Sequence, residues 1–164
     1  MCNGAVLLPL PLKSSSGSTV QSITSHGINH HALLKSPNEN SLVFRLIYGR
    51  FTALLTGYMR KSGEAAVLRR TEDIGAQLLK VGHHGSRSAT SDLFLEMTRP
   101  RWAVISAGRG NPYGHPSPDV LARLERHGAR TFVTMKHGAV TYEKGGESYV
   151  IRSHVYGIME KGTL

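Results

Sequence analysis

The sequence predicts an α/β fold, because strand-like and helix-like segments alternate along the middle of the chain. Four short runs rich in β-branched, aromatic and aliphatic residues are typical of strands, at 42–48, 51–56, 74–81 and 102–106. Residues that favour a helix start follow three of these runs, at Ser62, at Ser91 or Asp92, and at Ser117. The length of 164 residues is typical of a single domain and is sufficient for a buried core.

The helix starts predict which side chains face that core. Ser117–Asp119 combines a hydroxyl cap, a proline at the first helical position and an acid in the first turn. The first helix carries Glu64 in its first turn, where a carboxylate favours the helix dipole. In the second helix, we expect Leu93, Phe94 and Met97 to form the buried stripe.

Patterning divides the chain into three parts. Residues 1–37 are poorly patterned, 38–152 form the domain with further short strands near its end, and 153–164 are a tail. The first part contains His26, His30 and His31, whose spacing matches no metal-binding cluster and which lack a nearby carboxylate. We therefore expect these three histidines to be solvated.

Charge and composition narrow the function classes. The chain has 20 Lys and Arg against 11 Asp and Glu, a net charge of +9, which favours nucleic acid or an anionic membrane surface as partner; a basic surface that serves solubility is the alternative. The single cysteine, Cys2, excludes an internal disulfide and a cysteine-based zinc cage. No run approaches the roughly 20 apolar residues of a spanning helix, and 4–12 is a poor signal peptide, so we expect a soluble polypeptide.

The first candidate site follows the strand predicted at 74–81. Gly82 ends the apolar run, and His83, His84, Gly85, Ser86 and Arg87 come next. Loops at the open ends of strands in α/β folds are where ligands bind, and flanking glycines let a ligand approach closely. The two imidazoles are a candidate metal or acid/base site. Alternatively, they are loop histidines satisfied by hydrogen bonds.

A second loop of the same layout joins the strand at 102–106 to the helix that begins after Ser117. It carries Arg109, Asn111 and His115 among glycines and prolines. Free N–H groups and the dipole at a helix N-terminus favour an anion, with Arg109 as a phosphate clamp. We predict His115 and Arg109 as catalytic residues; the predicted phosphate-binding residues are Ser86, Arg87, Arg109, Asn111 and Ser117. Glycine-rich loops that only turn the chain are the alternative.

Four ordered motifs, Asn40–Val43, Leu54–Gly57, Leu79–Ser86 and Gly108–Pro116, carry a family resemblance. This part of the chain resembles the C-terminal half of the metallo-β-lactamase-fold domain of ComEC-type competence proteins. Those are bacterial inner-membrane proteins that take up single-stranded DNA, and this domain lies outside their channel. The resemblance implies half of an αββα sandwich, Zn or Mn as metal, and hydrolysis of one DNA strand. It implies single-stranded DNA, a membrane channel and a complementary first-half polypeptide as partners.

The sequence departs from the family pattern at the metal ligands. The His-x-His-x-Asp-His cluster of the first half is absent, and Tyr58 stands where the family has the aspartate that bridges the metals. Met135–His137 stands where the family tends to have another aspartate. One ligand position remains, at His83 or His84, and we favour His83 as the first residue off the strand. A catalytic metal usually needs three or more protein ligands, so we expect the chain to be inactive alone.

The sequence leaves three further readings open. The chain could bind nucleic acid without cutting it, form one half of a two-chain hydrolase, or be a remnant without a selected function. Half of a sandwich should also expose an apolar sheet face, which predicts poor solubility or self-association.

Overall fold

The computed structural model describes residues 18–24, 41–70 and 73–164, which form a mixed α/β structure with two sheets. The predicted α/β class is confirmed. His26, His30 and His31 lie outside the described residues.

A six-stranded sheet is the centre of the structure. Its strands, in spatial order, are β1 (Ser18–Thr24), β2 (Leu42–Tyr48), β3 (Phe51–Leu55), β4 (Leu78–Lys80), β5 (Trp102–Ile105) and β6 (Arg130–Val133). The strands from β1 to β3 are antiparallel neighbours, and those from β3 to β6 are parallel. The parallel strands therefore all end at one edge of the sheet.

Four α-helices and a smaller sheet complete the described part of the fold. The helices are α1 (Lys61–Arg70), α2 (Asp92–Thr98), α3 (Pro118–Arg126) and the single turn α4 (Thr134–His137). The small antiparallel sheet consists of β7 (Val140–Gly145), β8 (Ser148–Ser153) and β9 (Gly157–Thr163). The strand β9 lies in the segment predicted as a tail, and β1 lies in the segment without a clear pattern.

Both faces of the large sheet are covered. Leu79 on one face packs in the cluster that includes helix residues such as Phe94 and Val120. Trp102 and Phe132 on the other face pack against Ile151 of the small sheet. The expectation of an exposed apolar sheet face is therefore wrong for these residues, and self-association stays a prediction. Burial on both faces also explains why β5 is apolar throughout.

Two helix predictions need correction. Ser91 caps α2 as expected, since its hydroxyl accepts from the Phe94 N–H. Phe94 and Leu95 are the buried pair, however, while Leu93 is 58% and Met97 40% exposed. The helix α1 begins at Lys61, so that Ser62 lies inside the helix and is not its cap. The start of α3 at Ser117 is confirmed, with Pro118 in its first turn.

The strand predicted at 74–81 is also shorter than expected. Only Leu78–Lys80 pairs in the sheet, although Ile74 and Ala76 are buried. Just before β4, a side chain and not the backbone makes the contact with β3. The Gln77 Oε1 accepts from the N–H of Thr52 at 2.6 Å and from the Thr52 hydroxyl at 2.5 Å. Local apolar character therefore extends beyond the hydrogen-bonded strand.

Candidate functional site

Three loops meet at the carboxyl edge of the parallel strands. They follow β3, β4 and β5, and they span 56–60, 81–87 and 106–117. The N–H of His83 donates to the Gly57 carbonyl at 3.0 Å, and the N–H of Ser117 donates to the Gly85 carbonyl at 2.8 Å. The two histidine-bearing loops predicted from the sequence thus lie side by side, as parallel strand ends require.

Two glycines allow this close approach. A Cβ atom on Gly85 would lie 2.7 Å from the Cβ of Pro116, and Gly85 also has a φ of +78°. A Cβ atom on Gly82 would lie 2.8 Å from the Met59 carbonyl oxygen. The glycines on either side of the histidine pair therefore set the distance between the three loops.

The histidine pair itself has a strained backbone. His83 and His84 have φ values of +47° and +55°, in the left-handed region that L-residues avoid at a cost of about 1–2 kcal/mol each. Such strain persists only where the surroundings impose it, and it is concentrated at functional sites. The chain thus keeps two imidazoles at positions that favour glycine or asparagine.

Hydrogen bonds fix the orientation of His84. Its Nδ1 lies 2.6 Å from the Ser106 carbonyl oxygen, which only accepts, so Nδ1 carries a proton. In the neutral ring, Nε2 then accepts from the Tyr58 hydroxyl at 3.1 Å. A backbone carbonyl that orients one imidazole nitrogen is the usual support of a metal-ligating histidine. This support is found at His84, whereas our sequence interpretation favoured His83.

His83 and His115 face each other across the two loops, with ring centroids 6.1 Å apart. The Nδ1 atoms of both are buried and have no hydrogen-bond partner among the described residues. Burial lowers the pKa of His83, and the charges of Arg60, His115 and His84 lower it further. Burial followed by the charge of His84 also lowers the pKa of His115. Both rings are therefore neutral near pH 7.

The residues at this site do not fit a catalytic metal. The described part of the chain has no group of three or more His, Cys, Asp or Glu residues that could hold a metal ion. The Tyr58 phenol stands next to His84 Nε2, where the resembled family has a carboxylate, and a neutral phenol is a poor ligand for a hard cation.

The polar side chains of the second loop maintain its shape. The Asn111 amide donates to the carbonyls of Gly108 and His115 and accepts from the His115 N–H, so both of its ends are used. Ser117 caps α3 by accepting from the Asp119 N–H. These contacts account for Asn111 and Ser117 structurally; phosphate binding by either residue stays a prediction.

The remaining predicted residues lie around the histidines. The Ser86 hydroxyl is 3.0 Å from that of Ser88. Arg87 is exposed and pairs with Asp119 at 2.6 Å. Arg109 is also exposed, and its Nε donates to the Met135 carbonyl. Both guanidinium groups are thus at the surface of the site.

Two buried charged residues that the sequence analysis did not place at the site hold the segment after the histidines. Glu64 accepts from the N–H groups of Thr90 and Ser91 and from the Ser91 hydroxyl. Arg123 donates to the carbonyls of Thr90 and Ala89. Charged residues buried in helices leave no local pattern, so no sequence signal identifies them.

Comparisons with known proteins agree with the family resemblance. No family model matches the chain. The chain is 41% identical to ComE operon protein 3 of Bacillus subtilis, over 65% of this chain and 14% of that protein. It is 34% identical to Competence protein ComA of Neisseria gonorrhoeae, over 66% of this chain and 16% of that protein. It is 35% identical to Recombination protein 2 of Haemophilus influenzae, over 68% of this chain and 14% of that protein.

These similarities confirm the predicted relationship to competence proteins. The chain matches only about a seventh of the length of these relatives. None of the helices in the described residues is long and apolar enough to cross a membrane.

Proposed function

We propose that this chain is a metallo-β-lactamase-like half-domain that acts in DNA uptake by binding single-stranded DNA, without hydrolysing it alone. The observation that carries the proposal is the contact between the Tyr58 hydroxyl and His84 Nε2. It puts a hydrogen-bond donor where a metal-dependent hydrolase of the resembled family has a carboxylate. The site retains its loops and imidazoles, but the residues that the structure describes do not supply the ligand set for metal chemistry.

The layered fold supports the structural part of this proposal. Helices cover one face of a partly parallel sheet, and a second sheet covers the other. This arrangement is compatible with half of an αββα sandwich.

Positive charge at the strand edge supports the binding part. Arg60 lies close enough to His83 to affect its pKa, and Arg87 and Arg109 are exposed on the two histidine loops. With a net charge of +9, the chain has an excess of the groups that neutralise phosphates. The similarity to competence proteins favours DNA as the polyanion that this chain binds.

The test is retention of a labelled single-stranded oligonucleotide, with and without a chelator, over a range of salt concentrations. We expect binding that weakens steeply with salt, is unchanged by EDTA and yields no cleavage products. Arg109→Gln should weaken binding several-fold, whereas Arg69→Gln, at an exposed position near the end of α1, should not. Absence of binding, or binding that EDTA abolishes, would contradict the proposal.

A second function, one half of a two-chain hydrolase, is favoured by a different observation. The buried Nδ1 atoms of His83 and His115 have no partner among the described residues, which is unusual for polar atoms in a protein interior. A separate first-half polypeptide with a His-x-His-x-Asp-His cluster would supply the missing ligands. Cleavage that requires both polypeptides and is lost in His84→Ala would establish this function; cleavage by neither the single chain nor the mixture would exclude it.

A further inference from the structure

Four aromatic rings form a continuous row across the site. Tyr58 contacts His83 with ring centroids 5.4 Å apart, His83 contacts His115 at 6.1 Å, and His115 contacts Tyr113 at 5.9 Å. The tyrosines at the two ends are exposed, Tyr58 by 47% and Tyr113 by 78%. Because these exposed rings belong to one continuous row, they form a surface on which a partner with flat rings can stack.

Tyr113 has the geometry of a stacking platform. Its ring lies at 25° to the His115 ring with the centroids 5.9 Å apart, so a nearly parallel imidazole lies alongside it in an offset arrangement. The backbone of His115 is itself held on both sides by the Asn111 amide, at 2.9 and 2.7 Å. Tyr113 therefore lies next to a ring whose backbone is fixed, and its own ring is largely open to solvent.

Tyr58 is fixed in a different way at the other end of the row. Its hydroxyl is bonded to His84, and its backbone N–H donates to the Ser41 hydroxyl. A ring held in this way loses little rotamer entropy when a ligand stacks on it.

The charges around the row suit a polyanion with exposed bases. Arg60 follows Tyr58 by two residues in the first loop, and Arg109 is exposed on the loop that also carries Tyr113 and His115. Interleaved rings and cations are typical of proteins that bind single strands, because every base has a face that can stack and every phosphate needs a cation. In a duplex, the base faces are covered by neighbouring base pairs.

We propose that Tyr113 stacks directly on a nucleobase of a bound single strand and that Tyr58 forms a second stacking position at the other end of the row. This inference rests on the proposed binding of single-stranded DNA and adds to it a contact with the bases. His115, which the sequence analysis predicts as catalytic, and His83, which it predicts as a metal ligand, are on this view the support of a binding surface.

The experiment compares a thymidine oligonucleotide of about 15 nucleotides with an abasic oligonucleotide of equal length and charge. We expect the wild-type chain to bind the thymidine strand more tightly. Tyr113→Leu should lower the affinity for the thymidine strand about tenfold and leave the affinity for the abasic strand unchanged. Tyr113→Phe, which keeps the ring, should bind as the wild type does.

Tyr48→Leu is the matched control, since Tyr48 is 36% exposed but lies at the opposite edge of the sheet, at the turn between β2 and β3. Unchanged fluorescence of the single tryptophan, Trp102, verifies the fold of each variant. Equal binding of the two oligonucleotides by the wild type, or an equal loss for both in Tyr113→Leu, would overturn the stacking role and leave DNA binding intact. Failure to retain either oligonucleotide would overturn both proposals.

Discussion

Lys80, at the end of β4, places an ammonium group inside the fold. The alternation of side chains along a strand puts it on the same face of the sheet as Leu78, which packs towards the small sheet. Its Nζ donates to the neighbouring Val81 carbonyl at 3.2 Å, and none of the described carboxylates forms an ion pair with it. Burial lowers the pKa of Lys80 from 10.5 to about 8.

The pKa shift gives the size and the pH range of the effect. A shift from 10.5 to about 8 corresponds to about 3 kcal/mol of destabilisation of the charged form. Because the folded chain releases this proton more readily than the unfolded chain does, the unfolded chain binds more protons between pH 8 and 10.5. The free energy of unfolding therefore rises with pH in that range, and the destabilisation is complete below pH 8.

We expect Lys80→Met to stabilise the protein near pH 7. The variant loses the charge but keeps a long apolar side chain, and loss of the bond to the Val81 carbonyl costs about 1 kcal/mol. The net gain is about 2 kcal/mol in the free energy of unfolding. Urea unfolding followed by Trp102 fluorescence measures it, and Lys161→Met, at an exposed position of β9, is the control.

The pH dependence is the sharper part of the test. The difference in stability between Lys80→Met and the wild type should shrink towards pH 10, because the wild-type lysine is then largely neutral in the folded chain. A variant that is less stable than the wild type at pH 7, or a difference that stays constant up to pH 10, would refute the assignment of a desolvated, unpaired ammonium group.

Three further substitutions test other features. Gly85→Ala should lower the free energy of unfolding by about 3 kcal/mol, because the new Cβ would lie 2.7 Å from Pro116 and the alanine would have to adopt a φ of +78°. A loss below about 0.5 kcal/mol in urea unfolding would show that the two loops can move apart. Glu64→Gln should cost about 2 kcal/mol, because the amide replaces one of the two buried accepting oxygens with an NH2 group that faces the N–H groups of Thr90 or Ser91. Glu96→Gln, on the exposed side of α2, should cost little, and equal losses of the two variants in thermal unfolding would contradict this role of Glu64. Burial raises the pKa of Glu160, but hydrogen bonds and a nearby arginine outweigh it and hold the pKa below 4.5, so the carboxylate stabilises the fold above pH 4.5 and this stabilisation is lost as the pH falls through the lower folded value. In urea unfolding curves measured over a pH series, Glu160→Gln should show a smaller loss of stability in acid than the wild type, and an equal loss in both would argue against this role.

Sequence reasoning predicted the elements whose signals are local. The helix start at Ser117 depends on three adjacent residues, and β5 is recognisable because a strand covered on both faces is apolar throughout. The buried face of α2 was predicted one residue out of register, because a short helix with apolar residues at Leu93, Phe94 and Leu95 offers two stripes. The packing partner, which is distant in sequence, decides between the two.

The strand β9 is missed in the sequence analysis for the same reason, because its partners and not its own residues determine it. Its residues alternate weakly and contain two glycines, so the pattern of 157–163 indicates no strand. What holds it are pairs with β8 and the Glu160 carboxylate, which binds Arg101, Arg130 and the Trp102 indole. All of these partners lie elsewhere in the sequence.

The candidate site was predictable in position but not in detail. The α/β rule placed the loops of His83, His84 and His115 at one edge of the sheet, and they lie there. Which imidazole is oriented like a metal ligand depends on the Ser106 carbonyl, 22 positions away from His84. Arg60, which lowers the pKa of His83, carries no sequence signal beyond its place two residues after Tyr58.

The left-handed backbone at His83 and His84 has a consequence for how this protein responds to selection. A library of variants screened for heat resistance alone should accumulate glycine or asparagine at these two positions, since either residue relieves the unfavourable φ. A library screened for ligand retention should keep the histidines and gain its robustness elsewhere, for example at Lys80. The two screens, run in parallel on the same starting gene, would therefore separate what the chain needs in order to fold from what it needs in order to act.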